Sequence, residues 1–211
     1  VYVTPKPAST VVLIDNETKV FLTKRPATMK FLAGHYVFPG GSLDKSDYPV
    51  ITGQLINMND SYQFSPAHYV AAARELFEEV GVNLATKEDG SPCQMETANM
   101  NEYRRLLLDG KITFFDIMSD HQLILDCNKF KYMGHKITPE SSPYRFDTRF
   151  FIAQLPEGQN PMPDVYEIEE AFWITPEAAL AAYKEGKLKM IKPTVLALNA
   201  LVKIRQGKPI D

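Results

Sequence analysis

Apolar and polar positions alternate in short runs near both ends of the chain and change to a three- and four-residue rhythm between them. Strands are therefore expected early and late, with helices intervening. Residues 9–15 and 19–23 are β-branched and apolar runs separated by Asp15-Asn16-Glu17-Thr18, the turn chemistry of a β-hairpin. Tyr36-Val37-Phe38 predicts a third short strand, stopped by Pro39 and opened by Gly40-Gly41 into a turn where backbone can come close to a ligand. Residues 44–65 lose periodicity and read as irregular, with room for one short helix. From Pro66 to Val80 the positions Val70, Ala73, Phe77 and Val80 predict an amphipathic helix, with Gly81 just past its end as a C-cap. A second helix over 97–108 and a short third over 112–119 would make 85–125 a helical insert. Strands follow at 130–137, 148–155 and 167–174, with a Pro- and Gly-rich turn at 156–163, and helices close the chain at 176–185 and 193–204. No internal repeat is visible. The expected class is α+β, layered, with a mixed sheet between helices.

Composition narrows this picture. The chain has 211 residues, 45% hydrophobic and 23% charged, enough for one substantial core, so a single domain over 1–211 is expected. A formal charge of -3 argues against non-specific binding to nucleic acid or an anionic membrane, which needs a large positive field. Apolar runs such as Val11-Val12-Leu13-Ile14 are too short to cross a bilayer, and no basic-then-apolar segment opens the chain. Lys208-Pro209-Ile210-Asp211 is not a peroxisomal Ser-Lys-Leu type ending, so a cytoplasmic location is the expectation. Cys93 and Cys127 lie far apart and suit two reduced structural thiols better than a disulfide framework or a zinc site.

The chemistry concentrates on the 66–80 helix. Helical spacing puts Glu75 and Glu79 one turn apart on one face, with Glu78 beside them and Arg74 one turn before Glu78. Carboxylates this close repel one another, and a hard divalent cation with oxygen ligands, Mg²⁺ or Mn²⁺, would neutralise them. An exposed acidic helix face would carry the same pattern, so charge alone does not decide.

The wider sequence resembles the Nudix hydrolase family, whose signature is G-x5-E-x7-R-E-U-x-E-E-x-G-U with U apolar. Arg74, Glu75, Leu76, Glu78, Glu79, Gly81 and Val82 fill every fixed position of its second half. In the first half Gly41 is followed after five residues by Asp47, a conservative replacement for the expected Glu. Residues 48–73 then separate Asp47 from Arg74, 26 positions where the signature has 7, so an insertion of 19 residues, within about 48–65, splits the motif. Coenzyme A diphosphatases of the peroxisomal type are split at the same place. The similarity continues through Arg145-Phe146-Asp147-Thr148-Arg149-Phe150-Phe151 and Phe172-Trp173-Ile174-Thr175-Pro176-Glu177. The resemblance implies a Nudix α/β/α sandwich and hydrolysis of a diphosphate bonded to a variable moiety. It also implies Glu75, Glu78 and Glu79 as metal ligands and catalytic groups, the Gly40 carbonyl as a further ligand, and Arg74 as the residue that orients a glutamate. The general base varies in this family, and Glu75, Glu140, Glu167 and Glu170 are candidates; each of the later three is also readily a solvated carboxylate.

Ahead of the motif, residues 21–41 resemble the coenzyme A Nudix pattern L-L-T-x-R-[SA]-x3-R-x3-G-x3-F-P-G-G. Leu22, Thr23, Arg25, Gly34, Phe38, Pro39, Gly40 and Gly41 match in register, whereas Phe21, Pro26 and Lys30 depart. Coenzyme A carries a ribose 3′-phosphate, for which Lys24, Arg25 and Lys30 are the expected cationic receptor, with Gly41 lining the site; a strand-end arginine and surface lysines are the alternative. Lys30 keeps the charge of the expected Arg but loses its fork. The expected partner is thus a small nucleotide, coenzyme A or acyl-coenzyme A, with ADP-ribose, NADH or a nucleotide sugar as alternatives and a non-catalytic nucleotide sensor as a different class. A homodimer is left open, with aromatic and Met residues of 97–135 as a surface for a partner or an acyl-pantetheine arm.

Overall fold

A computed structural model describes residues 3–48, 53–59, 61 and 64–208. Along these residues run β1 (Lys6–Ile14), β2 (Val20–Lys24), β3 (Tyr36–Val37), β4 (Gly40–Ser42), β5 (Leu55–Ile56), α1 (Ala67–Val80), α2 (Thr97–Leu108), α3 (Phe114–Asp120), β6 (Leu125–Asp126), β7 (Lys131–Ile137), β8 (Phe146–Gln154), β9 (Glu170–Ile174), α4 (Pro176–Lys184) and α5 (Lys192–Arg205).

β1 organises the sheet because its side chains serve two cores. Val11 and Leu13 face one, with Phe151, Ala153 and the buried side of α1, while Val12 faces the other, with Ile152, Leu198 and Leu201. The strand's period of two explains the split, and burial on both faces explains why its sequence reads as almost continuously apolar. Each fully buried Val or Leu contributes roughly 1.5–3 kcal/mol. β8 runs parallel to β1 along its full length, from Lys6↔Phe146 to Ile14↔Gln154. The strand order is β3-β2-β1-β8-β7, with β4 also paired to β1 and β9 to β2. α1, α2 and α3 cover one face of this mixed sheet and α4 and α5 the other, so the architecture is an α/β/α sandwich.

Several local outcomes differ from the sequence pattern. α1 is not a surface helix with a wet polar side, since all of its residues except Glu75 are buried. Its Ala71-Ala72-Ala73 run lets neighbours approach closely, and Gly81 ends it at φ 69 with its N–H bonded to the Phe77 carbonyl. Gly40–Ser42 forms a strand despite its glycines, because β1 supplies the pairing: Thr10↔Gly40, Ser9↔Gly41 and Ala8↔Ser42. β5 and β6 pair over two residues each, too short to leave a periodic trace. The short helix in the irregular stretch is a 3₁₀ turn, Lys45–Asp47, capped by Asp44. Residues 49–52, 60, 62 and 63 of the expected 48–65 insertion lie outside the described residues. α2 and α3 occupy the expected helical insert. Cys93 and Cys127 are free and buried. Among the described residues, no helix is long and apolar enough to cross a membrane.

Candidate active site

The β1–β4 pairing carries Gly40 and Gly41 across β1, beneath which α1 packs, and the second half of α1 brings its carboxylates up to them. A Cβ built on Gly41 would lie 2.4 Å from Glu75 Oε1, so only hydrogen fits between that backbone and the carboxylate. The Gly40 N–H points at Glu79 Oε2 over 3.3 Å. Glu78 and Glu79 are 8% and 7% exposed, which decides between a metal-type carboxylate group and a solvated acidic face in favour of burial.

Burial sets the electrostatics. Loss of hydration pushes the Glu75 carboxyl up to about 7, with Arg74 opposing the shift and Glu78 adding to it. Glu79 is raised well above the ordinary carboxylate value by burial, then by Glu75 and Glu167, against the Arg25 charge and the Gly40 N–H. Glu78 is raised by burial and held back by Arg74. The group is therefore short of positive charge.

Arg74 supplies part of what is missing. Its Nη1 donates to Glu75 Oε1 at 3.0 Å and to Glu78 Oε2 at 2.9 Å, and its Nη2 to the Ser42 carbonyl at 3.0 Å. Asp47, 1% exposed, accepts the other edge of the guanidinium on both oxygens, at 2.8 and 2.9 Å. That fork-to-fork geometry suits Arg and not Lys. Asp47 Oδ2 also accepts from the Asp44 N–H at 2.7 Å, so one carboxylate closes the loop after β4 and anchors the arginine.

Two further groups complete the surroundings. Arg104 of α2, 5% exposed, donates to the carbonyls of Glu78 (2.9 Å), Glu79 (3.1 Å) and Met162 (2.9 Å). It satisfies carbonyls at the C-terminal end of α1, where a cation is also favoured by the helix dipole. The pattern did hold a signal for it: Met100, Arg104 and Leu107 share one buried stripe of α2, a cation where an apolar residue is usual. Glu167, raised by burial, sits within electrostatic reach of Glu78, Glu79, Arg25 and Arg104. Its backbone N–H, like that of Tyr166, is tied to Asp164 Oδ1, and the Asp164 N–H to the Glu79 carbonyl at 2.7 Å. Of the other carboxylates considered as bases, Glu140 is exposed in a turn and Glu170 accepts the Tyr36 hydroxyl at 2.7 Å.

The three cations ahead of the motif are spread out. Lys24 Nζ pairs with Glu169 Oε1 at 2.7 Å and lies over the Tyr36 ring. Arg25 Nε donates to the Phe31 carbonyl at 3.1 Å, while its charge reaches Glu79 and Glu167. Lys30 is exposed on the 26–34 loop.

Among the described residues no group of three or more His, Cys, Asp or Glu side chains already stands in ligand geometry, and Arg74 turns an oxygen of Glu75 and one of Glu78 toward itself. The donor chemistry nonetheless fits a hard divalent cation. Half-buried Glu75 and buried Glu79 are oxygen donors that repel each other, beside a glycine backbone that admits nothing larger than hydrogen.

A family model, the NUDT19 Nudix domain, matches residues 59–201. The chain belongs to this family. It is 24% identical to the acyl-coenzyme A diphosphatase NUDT19 of Xenopus laevis over 228 aligned positions, covering 88% of this chain, and 28% identical to a Caenorhabditis elegans protein bearing the name nudix hydrolase 7 over 204, covering 94%. The chain spans 60% of the length of each of these curated relatives. A crystal structure of a Nudix hydrolase from Alicyclobacillus acidocaldarius superposes with a TM-score of 0.80 at 27% identity, over 99% of this chain and 98% of that one. A MutT Nudix hydrolase from Burkholderia pseudomallei shares the fold, with a TM-score of 0.51 at 13% identity over 93% and 98% of the two chains. The sandwich described above is thus the Nudix fold, and α1 is its Nudix helix.

Proposed function

We propose that this Nudix domain is a Mg²⁺- or Mn²⁺-dependent pyrophosphohydrolase that cleaves coenzyme A or acyl-coenzyme A into adenosine 3′,5′-bisphosphate and (acyl-)4′-phosphopantetheine. The observation that carries the reading is the pair of mutually repelling carboxylates, Glu75 and the buried Glu79, pressed against Gly40 and Gly41. The coenzyme A part draws on the pattern over residues 21–41 and on the name of the Xenopus relative.

A diphosphate resists hydrolysis because its oxygens repel an incoming hydroxide. Glu75, Glu78, Glu79 and the Gly40 carbonyl would hold a divalent cation, which would supply charge to neutralise those oxygens and a more acidic water. Arg74 acts on the carboxylates: its bonds to Glu75 and Glu78 aim them, and Asp47 aims Arg74 in turn. Gly41, with no side chain, lets the Glu75 carboxylate lie directly against the loop backbone. Lys24, Arg25 and Lys30 bind the nucleotide's phosphates. The Lys24–Glu169 pair is partly exposed, and such a pair contributes only about 0–1 kcal/mol, so an incoming phosphate can displace the glutamate. As the oxygen of water bonds to one phosphorus, the bridging P–O bond breaks, the other phosphate leaves with the bridging oxygen, and a proton from the water must be taken up. Glu167, half-buried beside the group and with its carboxyl raised by burial, is the carboxylate that receives that proton.

The test is mass-resolved product analysis with Mg²⁺ against coenzyme A, dephospho-coenzyme A, ADP-ribose and NADH, with Glu79→Gln as the blank. Release of adenosine 3′,5′-bisphosphate in preference to the other products, abolished by Glu79→Gln, is expected. Lys30→Ala should slow coenzyme A cleavage and leave substrates without the 3′-phosphate unchanged. Preferential cleavage of ADP-ribose or NADH would keep the chemistry and remove the coenzyme A assignment. Silence on all four would point to a nucleotide sensor.

A further inference from the structure

Where α1 ends, the chain closes around a cavity of about 180 Å³ that the hydrolytic chemistry leaves unused. Its walls include Phe77 of α1, Cys93 and Met95 ahead of α2, Met100 on α2, and Met162 beyond the Pro- and Gly-rich turn. Phe77, Cys93 and Met100 are buried, while Gln94 and Thr97 are exposed at the rim. Cavities of roughly 150 Å³ accept a ligand the size of benzene. The walls are held by bonds of the chain itself. The Met162 N–H bonds to the Val80 carbonyl at 2.7 Å, and the Met162 carbonyl accepts from Arg104 Nη1 at 2.9 Å. Gln159 grips the Asn83 backbone from both sides, accepting its N–H on Oε1 at 2.9 Å and donating from Nε2 to its carbonyl at 2.9 Å.

One polar group on this lining is left over. Asn83 is 3% exposed, and its Oδ1 accepts the Ala85 N–H at 2.9 Å, which fixes the other end of the amide as the donor. That Nδ2 is buried and has no hydrogen-bond partner. A buried donor left unmatched keeps its full desolvation penalty, so the position calls for an acceptor that the chain does not supply.

The rest of the lining says what should carry the acceptor. Among the described residues, none that line the cavity bears a charged side chain. Burial raises the Cys93 thiol and keeps it neutral. An anion entering here would lose its hydration with no cation to replace it. The thioethers of Met95, Met100 and Met162 adapt to irregular apolar shapes. The matching ligand is neutral, offers a carbonyl oxygen and is apolar around it.

We propose that this cavity binds a neutral amide or thioester group, its carbonyl oxygen accepting from Asn83 Nδ2 and its apolar chain lying among the three methionines. Pantetheine, a neutral chain with two amides and a terminal thiol, has this chemistry. It can arrive as the arm of a coenzyme A substrate or as a separate molecule; the first source rests on the diphosphate reading above, and the cavity does not. Reach allows the first source. Gly81, on the lining, is two residues past Glu79, at most about 7 Å of chain, whereas pantetheine is as long as about four extended residues, roughly 13 Å.

The probe is N-acetylcysteamine, the thiol end of pantetheine, titrated under reducing conditions and followed by calorimetry and by the side-chain amide signals of ¹⁵N-labelled protein. Saturable binding that shifts the Asn83 side-chain N–H signals is expected, with no binding of N-acetylglycine, which carries a carboxylate in place of the thiol end. Asn83→Asp keeps the acceptor for the Ala85 N–H and removes the donor, so it should weaken binding at least about 10-fold. Met95→Trp, at a half-buried wall position, fills the cavity and should abolish binding even if Asn83→Asp fails to fold. Wild type that does not bind, as a merely hydrated cavity would not, wild-type affinity in the folded variants, or equal binding of N-acetylglycine would each overturn the inference. Inhibition kinetics separate the sources, and both outcomes uphold the cavity. N-acetylcysteamine competitive with coenzyme A, together with a raised KM and unchanged kcat in Met95→Trp, identifies the substrate's own arm, whereas binding that leaves the KM for coenzyme A unchanged identifies a separate molecule. Absent turnover would sink the hydrolase reading alone, because calorimetry reads the cavity without catalysis.

Discussion

Asp47→Ala offers the sharpest test of how the site is held. Asp47 is 1% exposed and bonds both edges of the Arg74 fork facing it, so its removal leaves a buried guanidinium with part of its donors unmatched. Breaking a buried ion pair from one side costs roughly 3–5 kcal/mol. The lower end applies here, because Arg74 retains Glu75, Glu78 and the Ser42 carbonyl. Loss of the acceptor for the Asp44 N–H, a capping bond, adds about 1 kcal/mol. A destabilisation of about 3–4 kcal/mol follows. At about 2–4 °C per kcal/mol for a chain of this size, the melting temperature should fall by about 6–16 °C. Differential scanning calorimetry of the metal-free protein reads the shift, and Mn²⁺ binding followed by electron paramagnetic resonance separates anchoring from ligation. Asp47→Asn, which keeps the shape, should retain Mn²⁺ affinity within a few-fold while Glu79→Gln loses it. A melting temperature within about 2 °C of wild type, or Mn²⁺ binding lost in Asp47→Asn, would refute the view that this carboxylate works through Arg74.

Two further outcomes follow from the glycine loop and from a buried imidazole. Gly41→Ala should fold with nearly wild-type stability yet lose most activity, because its Cβ strikes only the mobile end of Glu75, whereas Gly40→Ala, whose Cβ would lie 2.3 Å from the Ser9 carbonyl oxygen and 2.7 Å from Thr10 Cα, should be strongly destabilised; paired melting and activity measurements check both. Burial, assisted by the Arg149 charge, pushes His68 down to about 4, while Ser9 Oγ lies 3.0 Å from its Nδ1. In the unfolded chain the imidazole titrates near 6.5, so the unfolded state takes up the proton first. Stability should therefore be full above pH 6.5, fall as the pH drops toward 4 with a slope of up to about 1.4 kcal/mol per pH unit, and level off below that. Urea titrations of wild type and His68→Gln across this window check it, and an unchanged slope in the variant would remove His68 as the cause.

The local signals along this chain were strong wherever one element could speak for itself. Periodicity marked α1 with Gly81 as its cap, and marked α2 at its observed ends, because amphipathic spacing and a left-handed C-cap are properties of a dozen neighbouring residues. The run Arg74-Glu75-Leu76-Phe77-Glu78-Glu79 declared its chemistry for the same reason: one helix fixes the mutual spacing of its own carboxylates. What no local pattern could show was that this helix is buried on every side, since burial depends on which elements cover it. Nor could it show that Gly40–Ser42 is a strand, because two glycines have no strand preference and β1 alone imposes the pairing. Asp47 and Arg74 are 27 residues apart, and an insertion obscured their relation; only the fold returns the chain so that one grips the other. Arg104, bonded to carbonyls of α1 from a different helix, and Phe31, stacked on rings more than a hundred residues away, are likewise decided by tertiary contact. Spacing within an element is written in the sequence, while desolvation, which raises Glu75 and Glu79 and makes a cation welcome there, exists only once the chain has closed around them.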